Sequence, residues 1–270
     1  MNETSSALHA LKNFKTGEFD RPPGERWITM SNALTRSAHG LSLGEKRIIM
    51  AAVSKLDSRQ ALTPNQTLPS TKITAEEYAE LAQCGMNAAY EALQTAAKNL
   101  YDRSITIFQP SFKRGSKKIG DKGTTTKMRW VGRATYHDQE GWVELVWWSE
   151  VVPHLLGLKK QFTSYQLQQA TALRSVYSWK LLELLMRFKS TGQADYTIED
   201  FCESMEATQK QRSDFAKIRT KIIEPAVKEL REKDNWIIEW IPIKAGRRVA
   251  SLRFIFHRNP QKSLPFEGSK

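Results

Sequence analysis

The sequence contains few cysteines and no long apolar segment. Cys84 and Cys202 are its only two cysteines, and isolated thiols favour small buried roles in a reducing cytoplasm over a disulfide framework. No stretch approaches the roughly 18 consecutive apolar residues that span a bilayer, and residues 1–26 lack the apolar segment of a secretory signal. We therefore expect a cytoplasmic protein without a membrane partner.

Patterns typical of enzymes and metal sites are also missing. The sequence has no Gly-x-x-x-x-Gly-Lys-Ser/Thr loop for a nucleoside triphosphate and no His-Glu-x-x-His or Cys/His spacing for zinc. Tyr165 and Tyr177 lie near basic residues, as a DNA-cleaving tyrosine would, but no histidine pair accompanies them to hold a metal. We predict no catalytic activity, no metal and no cofactor. The histidines are scattered along the chain: His9, His39, His137, His154 and His257.

Basic residues outnumber acidic residues. The 41 Lys and Arg against 29 Asp and Glu give a net charge of +12 and a pI near 9.7, and 40% of the residues are apolar. These values are typical of a globular protein with a polyanionic partner. The charge alone does not distinguish DNA, RNA and an anionic membrane.

One short pattern occurs twice and narrows this choice. Residues 74–78 (Thr-Ala-Glu-Glu-Tyr) and 197–201 (Thr-Ile-Glu-Asp-Phe) each begin with a helix-capping threonine followed by acidic residues. An apolar helix precedes each copy, at residues 43–56 and 176–189, and a turn, an amphipathic helix and two strand-like segments follow. This order is typical of a winged helix. We predict an α+β fold of tandem, duplicated winged-helix domains that bind double-stranded DNA.

The ends of the chain differ in composition from its middle. Residues 1–26 and 259–270 are polar and aperiodic, which predicts two flexible tails. We expect the first winged-helix domain at residues 27–158, ending in a short helix at 151–158, and the second at residues 159–258.

The first module begins with a capping box at Ser42 and Glu45. Gly85 is expected to form a tight turn, after which Asn87 caps the third helix. The predicted buried side of that helix is Tyr90, Leu93, Ala97 and Leu100.

The first module offers a weaker DNA-binding surface. Its third helix carries Glu91, which is unfavourable near phosphate, and leaves Asn87 as a candidate contact. Strands are predicted at residues 104–109, 128–135 and 142–147, and the basic loop 110–127 is interpreted as the wing. We expect this module to hold the DNA backbone and to make protein contacts. Its other candidate DNA-binding residues are Lys113, Arg114, Lys117, Lys118 and Arg133.

Four tryptophans lie on or beside these strands. Such residues could stack on single-stranded bases, but alternating positions on a strand favour a core role. The four are Trp130, Trp142, Trp147 and Trp148.

The third helix of the second module, near residues 214–233, is the strongest candidate for base recognition. Basic residues are concentrated at its start, with Asp214 as the one acid among them. Lys217 and Lys221 should point outward, whereas Arg219 falls in line with the apolar row, so it is half-buried or the helical phase changes there. Pro225 should kink the helix near Lys221. The basic residues are Lys210, Arg212, Lys217, Arg219 and Lys221; an ordinary solvated helix face is the alternative.

A second hairpin follows this helix. Strands predicted at residues 236–243 and 249–256 are joined by residues 244–248, which include Lys244, Arg247 and Arg248. A basic hairpin tip beside a recognition helix can contact phosphates or enter the minor groove. The alternative is an edge strand whose charges prevent aggregation.

Five segments resemble the iteron-binding replication initiators (Rep proteins) of theta-replicating plasmids. The longest is MSNALTRSAHGLSLGEKRIIM at residues 30–50, and IEPAVKEL at residues 223–230 is another. The others lie at residues 97–107, 158–163 and 173–179, so the resemblance covers roughly residues 27–256.

The resemblance implies that the C-terminal winged helix reads DNA through its third helix and wing, while the N-terminal one contacts the backbone and forms the dimer interface. Members of this family bind direct-repeat iterons as monomers and repress their own promoter as dimers on an inverted-repeat operator. They also recruit host initiation proteins such as DnaA and the DnaB helicase. We therefore expect a homodimer in equilibrium with a monomer, associated with plasmid DNA and the nucleoid. The implied reading residues are Arg212, Ser213, Lys217, Arg219, Thr220, Lys221, Lys244, Arg247 and Arg248.

Three functions remain open at this point. The first is an initiator that represses its own gene, the second a winged-helix transcription regulator without replication activity, and the third a nicking enzyme for rolling-circle replication. Direct repeats of about 20 base pairs, roughly two helical turns, would favour the initiator over the regulator.

Overall fold

The structure is a computed structural model that describes residues 21–63, 66–109 and 123–259. It forms two compact units. The first comprises the described residues of Met1–Ser31, Leu41–Ser104 and Met128–Ala172, and the second those of Asn32–Gly40, Ile105–Lys127 and Leu173–Lys270. Three parts of the predictions lie outside the described residues: 1–20 of the tail predicted at 1–26, 260–270 of the tail predicted at 259–270, and the loop residues Lys113, Arg114, Lys117 and Lys118.

The described part of the chain alternates between helices and strands. Its helices are α1 (Asn32–Arg36), α2 (Leu43–Val53), α3 (Ala75–Ala82), α4 (Met86–Leu100), α5 (Gln168–Thr171), α6 (Val176–Met186), α7 (Ile198–Ser204), α8 (Gln209–Arg212), α9 (Phe215–Ile218) and α10 (Glu224–Asp234). Its strands are β1 (Trp27–Ser31), β2 (Ser70–Thr74), β3 (Ser104–Gln109), β4 (Thr124–Arg129), β5 (Val131–His137), β6 (Trp142–Trp147), β7 (Phe162–Gln166), β8 (Gln193–Thr197), β9 (Trp236–Ala245) and β10 (Arg248–Arg258).

The two units contain equivalent sheets. In the first unit the strand order is β2-β6-β5, and in the second it is β8-β10-β9. In both, the strand that leads into the capped helix pairs antiparallel with the last strand of the hairpin. Helices and then a hairpin follow that strand in both units, with the β3–β4 pair added in the first and the short helix α8 added in the second. The sheets of the two modules therefore share one topology, as expected for a duplication.

Local signals determine where several helices begin. Ser42 and Glu45 form the predicted capping box for α2, and Thr74 and Glu77 form another for α3, because each side chain satisfies a backbone N–H that the helix leaves unpaired. Thr197 accepts a hydrogen bond from the Asp200 N–H at 3.0 Å. The three predicted helix starts are confirmed.

The third helix of the first unit differs from the prediction at its N-terminus. It begins at Met86 with Gly85 as N-cap, so Asn87 does not cap it. The tight turn is made by Gln83, which adopts a left-handed conformation at φ 52°, while Gly85 has an ordinary φ of −71°.

The buried side of this helix was predicted correctly at Leu93 and Leu100 but one residue out of phase at the other two positions. It consists of Ala89, Leu93, Ala96 and Leu100, and Tyr90 and Ala97 are only half-buried. The two alanines allow close packing in the core, whereas the Tyr90 ring covers Gly141, where an added Cβ would lie 2.0 Å from the ring. The large side chain of Tyr90 was therefore a poor guide to the core at that position.

The predicted strand at residues 128–135 is two strands separated at Trp130. β4 pairs with β3 in a two-stranded sheet, and β5 pairs with β6 in the sheet described above. The basic loop therefore joins β3 to β4 and is not the wing of the first unit, which is the β5–β6 hairpin. The interpretation of residues 110–127 as the wing was wrong, because the extra hairpin precedes the wing in the chain.

The segments around the predicted domain boundaries differ from the prediction. Residues 151–158 hold only a 3-10 turn at Val152–His154. β7 lies after the predicted boundary at residue 158 but pairs with β1 of the first unit. Arg26, at the end of the predicted N-terminal tail, forms an ion pair with Glu77 at 2.9 Å.

The third helix of the second unit, defined here as residues 215–234, contains a π-helical segment. Asp214 caps its start by accepting the Ala216 N–H at 2.9 Å, and Arg219–Ile223 is π-helical between α9 and α10. Pro225 lacks the N–H that would bind the carbonyl of Lys221, so the disturbance predicted near Lys221 takes this form. Lys210 and Arg212 lie on the separate helix α8, not on the third helix as predicted.

Candidate nucleic-acid interface

The turn between α7 and α8 of the second unit is held by Arg212. Its Nε donates to the Ala207 carbonyl at 2.7 Å and its Nη2 to the Cys202 carbonyl at 3.2 Å. Its Nη1 donates to the Glu203 carboxylate, and this hydrogen bond raises the pKa of Arg212 above its usual value. The predicted base reader is therefore half-buried with three of its nitrogens engaged in the turn, where it connects α8 to α7.

The outer surface of the third helix carries the other predicted residues. Arg219 and Lys221 are exposed, and Lys217 is half-buried with its Nζ donating to Ser213 Oγ at 3.2 Å. Thr220 donates its hydroxyl to the Ala216 carbonyl at 2.8 Å. All four residues lie at positions 217–221, near the N-terminal end of the helix, where the base-contacting residues of a recognition helix lie.

The position of Arg219 settles the question of helical phase. Ile222 and Ile223 are both buried although they are adjacent in the chain. The π segment accommodates one extra residue in its turn, which moves Arg219 out of the apolar row. Arg219 is exposed and pairs with Glu224 at 3.5 Å. The phase change, rather than burial, is the correct alternative.

The wing of the second unit extends beyond the core. Residues 241–248 are all exposed, and Gly246 closes the hairpin at φ 63° between the paired residues Ala245 and Arg248. No acid occurs at residues 241–250, where Lys244, Arg247 and Arg248 are exposed. The wing therefore presents uncompensated positive charge suited to phosphate.

Contacts at its base fix the wing against the third helix. The rings of Phe215 and Trp240 lie with centroids 6.3 Å apart, and Arg231 donates a hydrogen bond to the Ile238 carbonyl. A bulge between Val249 and Ser251 interrupts the register of β9 and β10, and bulges increase strand twist. The basic helix surface and the basic hairpin thus belong to one packed domain.

The equivalent surfaces of the first unit have a different charge. Asn87 and Glu91 are exposed on α4, and Asp138 and Glu140 are exposed at the tip of the β5–β6 wing. Arg133 lies on β5 and pairs with Glu144 at 3.4 Å. The acidic wing tip was missed because the basic loop was taken as the wing, although Asp138 to Gly141 is a recognisable four-residue hairpin loop.

The tryptophans divide between core and surface. Trp130 and Trp147 are completely buried, and Trp147 Nε1 donates to Thr71 Oγ1 at 2.9 Å. Trp142 is half-buried under Lys72, whose Nζ lies 4.1 Å from the ring centroid, and Trp148 is exposed. The core prediction is confirmed for the first two.

The structure offers little support for a tyrosine nuclease. Tyr165 is completely buried, so its hydroxyl is inaccessible to a DNA strand, and Tyr177 shares a hydrogen bond with Gln211. Within the described residues no group of three or more His, Cys, Asp or Glu is placed to hold a metal ion.

No helix in the described part of the chain has the length and apolarity needed to cross a membrane.

Two relatives from Escherichia coli resemble the chain over most of its length. A replication initiation protein is 23% identical over 245 residues, which cover 89% of this chain and 72% of the relative. The PI protein is 23% identical over 255 residues, which cover 85% and 82%. The crystal structure of the Pi initiator protein in complex with iteron DNA has the same fold, with a TM-score of 0.69 at 21% identity, covering 88% of this chain and 99% of that one.

Two family models match successive parts of the chain. The model for the first winged-helix domain (WH1) of the initiator replication proteins matches residues 27–186, and that for the second winged-helix domain (WH2) of the initiator Rep proteins matches residues 197–256. The predicted tandem winged-helix fold and the resemblance to replication initiators are confirmed. The chain belongs to the family of initiator replication (Rep) proteins with two winged-helix domains.

Proposed function

We propose that this chain is a plasmid replication initiator that binds direct-repeat iterons as a monomer and represses its own promoter as a dimer on an inverted repeat. Its family and the names of its relatives support the initiator role. The observation that carries the DNA-binding role is the second unit, where an exposed basic helix surface and an acid-free wing are packed together.

The exposed cations divide into two chemical types. Arg219 presents a planar fork that suits guanine in the major groove once it leaves Glu224, whereas Lys217 and Lys221 supply point charge to phosphates. Ser213 and Thr220 add hydroxyls beside them, and Lys244, Arg247 and Arg248 contact the backbone next to the helix. Arg212 contributes by holding the turn.

The first unit has a supporting role in this proposal. The basic loop between β3 and β4, with Lys113, Arg114, Lys117 and Lys118, belongs to the second unit and adds backbone contacts there. The acidic wing tip of the first unit would be repelled by phosphate, so the DNA contacts of that unit fall to Asn87 and Arg133. Its remaining surface is available for dimerisation and for host proteins such as DnaA and the DnaB helicase. The protein acts without a catalytic step, on plasmid DNA in the cytoplasm.

Footprinting of size-separated monomer and dimer tests the proposal. We expect the monomer to protect direct repeats of about 20 base pairs at the origin and the dimer to protect an inverted repeat at the promoter. Protection of the inverted repeat alone would support a transcription regulator and contradict the initiator function. Cleavage of either DNA on addition of a divalent metal would revive the nicking enzyme.

A further inference from the structure

A short segment from the N-terminal half of the chain belongs to the DNA-binding unit. Residues 32–40, called the strap here, comprise α1 and the four residues after it, and they fall in the second unit. They lie more than 130 residues before helix α6 in the sequence. The strap is continuous with β1 on one side and with the capping residue Ser42 of α2 on the other.

The strap is bound to α6 through a buried lysine. Lys180 Nζ donates to the Thr35 carbonyl at 3.0 Å and to the Ser37 carbonyl at 2.6 Å, and it lies 3.7 Å from the Glu183 carboxylate. Lys180 and Glu183 are almost completely buried. Because a buried charge is costly unless it is paired and hydrogen-bonded, the strap carbonyls are needed to solvate this ammonium group.

The strap also contacts α7 and the turn after it. Arg36 pairs with Asp200 on α7 at 3.2 Å. The Glu206 carboxylate accepts the N–H groups of His39 and Gly40, at 2.8 and 3.0 Å. Charged groups of α6, α7 and the turn after α7 therefore all bind the same nine-residue segment.

Glu206 occupies a sensitive position in the turn. It adopts a left-handed conformation at φ 55°, which is strained for a residue other than glycine and persists only where the surroundings enforce it. The next residue, Ala207, supplies a carbonyl to Arg212. The turn is thus held on one side by the strap through Glu206 and on the other by Arg212.

We propose that the strap is an integral part of the DNA-reading domain, and that Glu206 is a positioning residue that fixes the direction of the third helix without touching DNA. This inference rests on the proposed DNA-binding function. It predicts that the sequence preference of the protein depends on residues far from its recognition helix in the sequence.

The direction in which substitution of Glu206 changes DNA binding distinguishes a positioning role from a purely electrostatic one. Glu206→Ala and Glu206→Gln each remove a negative charge from a basic domain, and charge alone would strengthen binding to any DNA. If Glu206 positions the helix, the ratio of affinities for a direct-repeat duplex and a scrambled duplex falls instead. We expect a drop of about 2- to 30-fold for Glu206→Ala, and a smaller one for Glu206→Gln, which keeps one acceptor oxygen.

The measurement uses the full chain at a temperature where circular dichroism shows each variant to be folded. Glu232→Ala is the matched control, because Glu232 is an exposed acid of the third helix that pairs only loosely with Lys228, at 3.9 Å. A contact that merely stabilises the fold lowers the active fraction equally on both duplexes and leaves the ratio unchanged. Hydrogen exchange of the His39 and Gly40 amides, expected to accelerate in Glu206→Ala, reports the loss of the contact directly.

The outcomes are distinct. A lower ratio in Glu206→Ala but not in Glu232→Ala supports the strap inference. An unchanged or higher ratio in both Glu206 variants overturns it and leaves the proposed function intact. A wild-type protein that fails to discriminate between the two duplexes would overturn the proposed function itself, and the inference with it.

Discussion

Replacing Lys217 or Lys221 by alanine tests the recognition surface most directly. Lys221 is exposed on the π segment, and Lys217 is held by Ser213 Oγ at 3.2 Å. Both lie on the part of the third helix that begins at the Asp214 cap. If each neutralises a phosphate, its removal weakens binding and also reduces the dependence of binding on salt.

The magnitude follows from counterion release. One phosphate contact contributes about 0.9 to the slope of log K against log salt concentration. Between about 50 and 200 mM salt the logarithm changes by about 0.6, so one contact accounts for about threefold of the affinity lost over that range. Raising the salt over this range weakens the binding of every form of the protein. The loss of affinity should be about threefold smaller for each single variant than for the wild type, and about tenfold smaller for the double variant.

Fluorescence anisotropy with a labelled direct-repeat duplex, repeated at four or more salt concentrations, measures both quantities. Lys228→Ala is the control, since Lys228 is an exposed cation farther along the same helix and carries the same charge change. Unchanged affinity and slope in both variants would refute the assignment of the recognition helix. An equal effect in Lys228→Ala would mean that net charge, and not position, governs binding.

Three further predictions concern the parts that support this surface. Arg212→Ala should lower the free energy of unfolding by about 1–3 kcal/mol, because buried acceptors lose their donors; urea denaturation checks this, and full stability with reduced DNA affinity would instead identify Arg212 as a base reader. Gly246→Ala should cost about 1 kcal/mol in the same assay, because an alanine there meets no neighbouring atom but must adopt φ 63°; an unchanged midpoint would contradict it. Burial lowers the pKa of His154 below its ordinary value of 6.5. The neutral imidazole therefore contributes fully to the stability of the fold above pH 6.5, and this contribution is lost as the pH falls towards the lower pKa of the folded state. His154→Gln should flatten the decline in thermal stability below about pH 6.5, and a decline identical to that of the wild type would contradict this prediction.

Local signals in the sequence were sufficient to predict where three of the helices begin. The caps at Ser42, Thr74 and Thr197 involve residues within three positions of one another, so their partners can be read from the sequence. The strands β2 and β8 were missed because each has only five residues and leads directly into a capping threonine. They form strands by pairing with β6 and β10, which lie far away in the sequence, and a short segment carries no signal for such a pairing.

The candidate site was harder to predict because charge counts do not reveal partners. Arg212 appeared as one of several cations, but its acceptors are two carbonyls and a carboxylate brought close by the turn. Arg219 appeared in line with the apolar row, since a regular helix was assumed and the π segment shifts the phase. Glu206 offered no signal, because the N–H groups that it binds lie more than 160 residues earlier in the chain.

The two winged helices illustrate how one topology can be given different tasks by few residues. Their sheets have the same strand order, yet the wing tip of the first unit carries Asp138 and Glu140 while that of the second carries Arg247 and Arg248. Phosphate repels the former and attracts the latter, so only the second wing is suited to lie along a DNA backbone. Affinity for the DNA backbone is therefore expected to depend on the second wing, and exchanging the charges of the two tips should reduce binding without altering either fold.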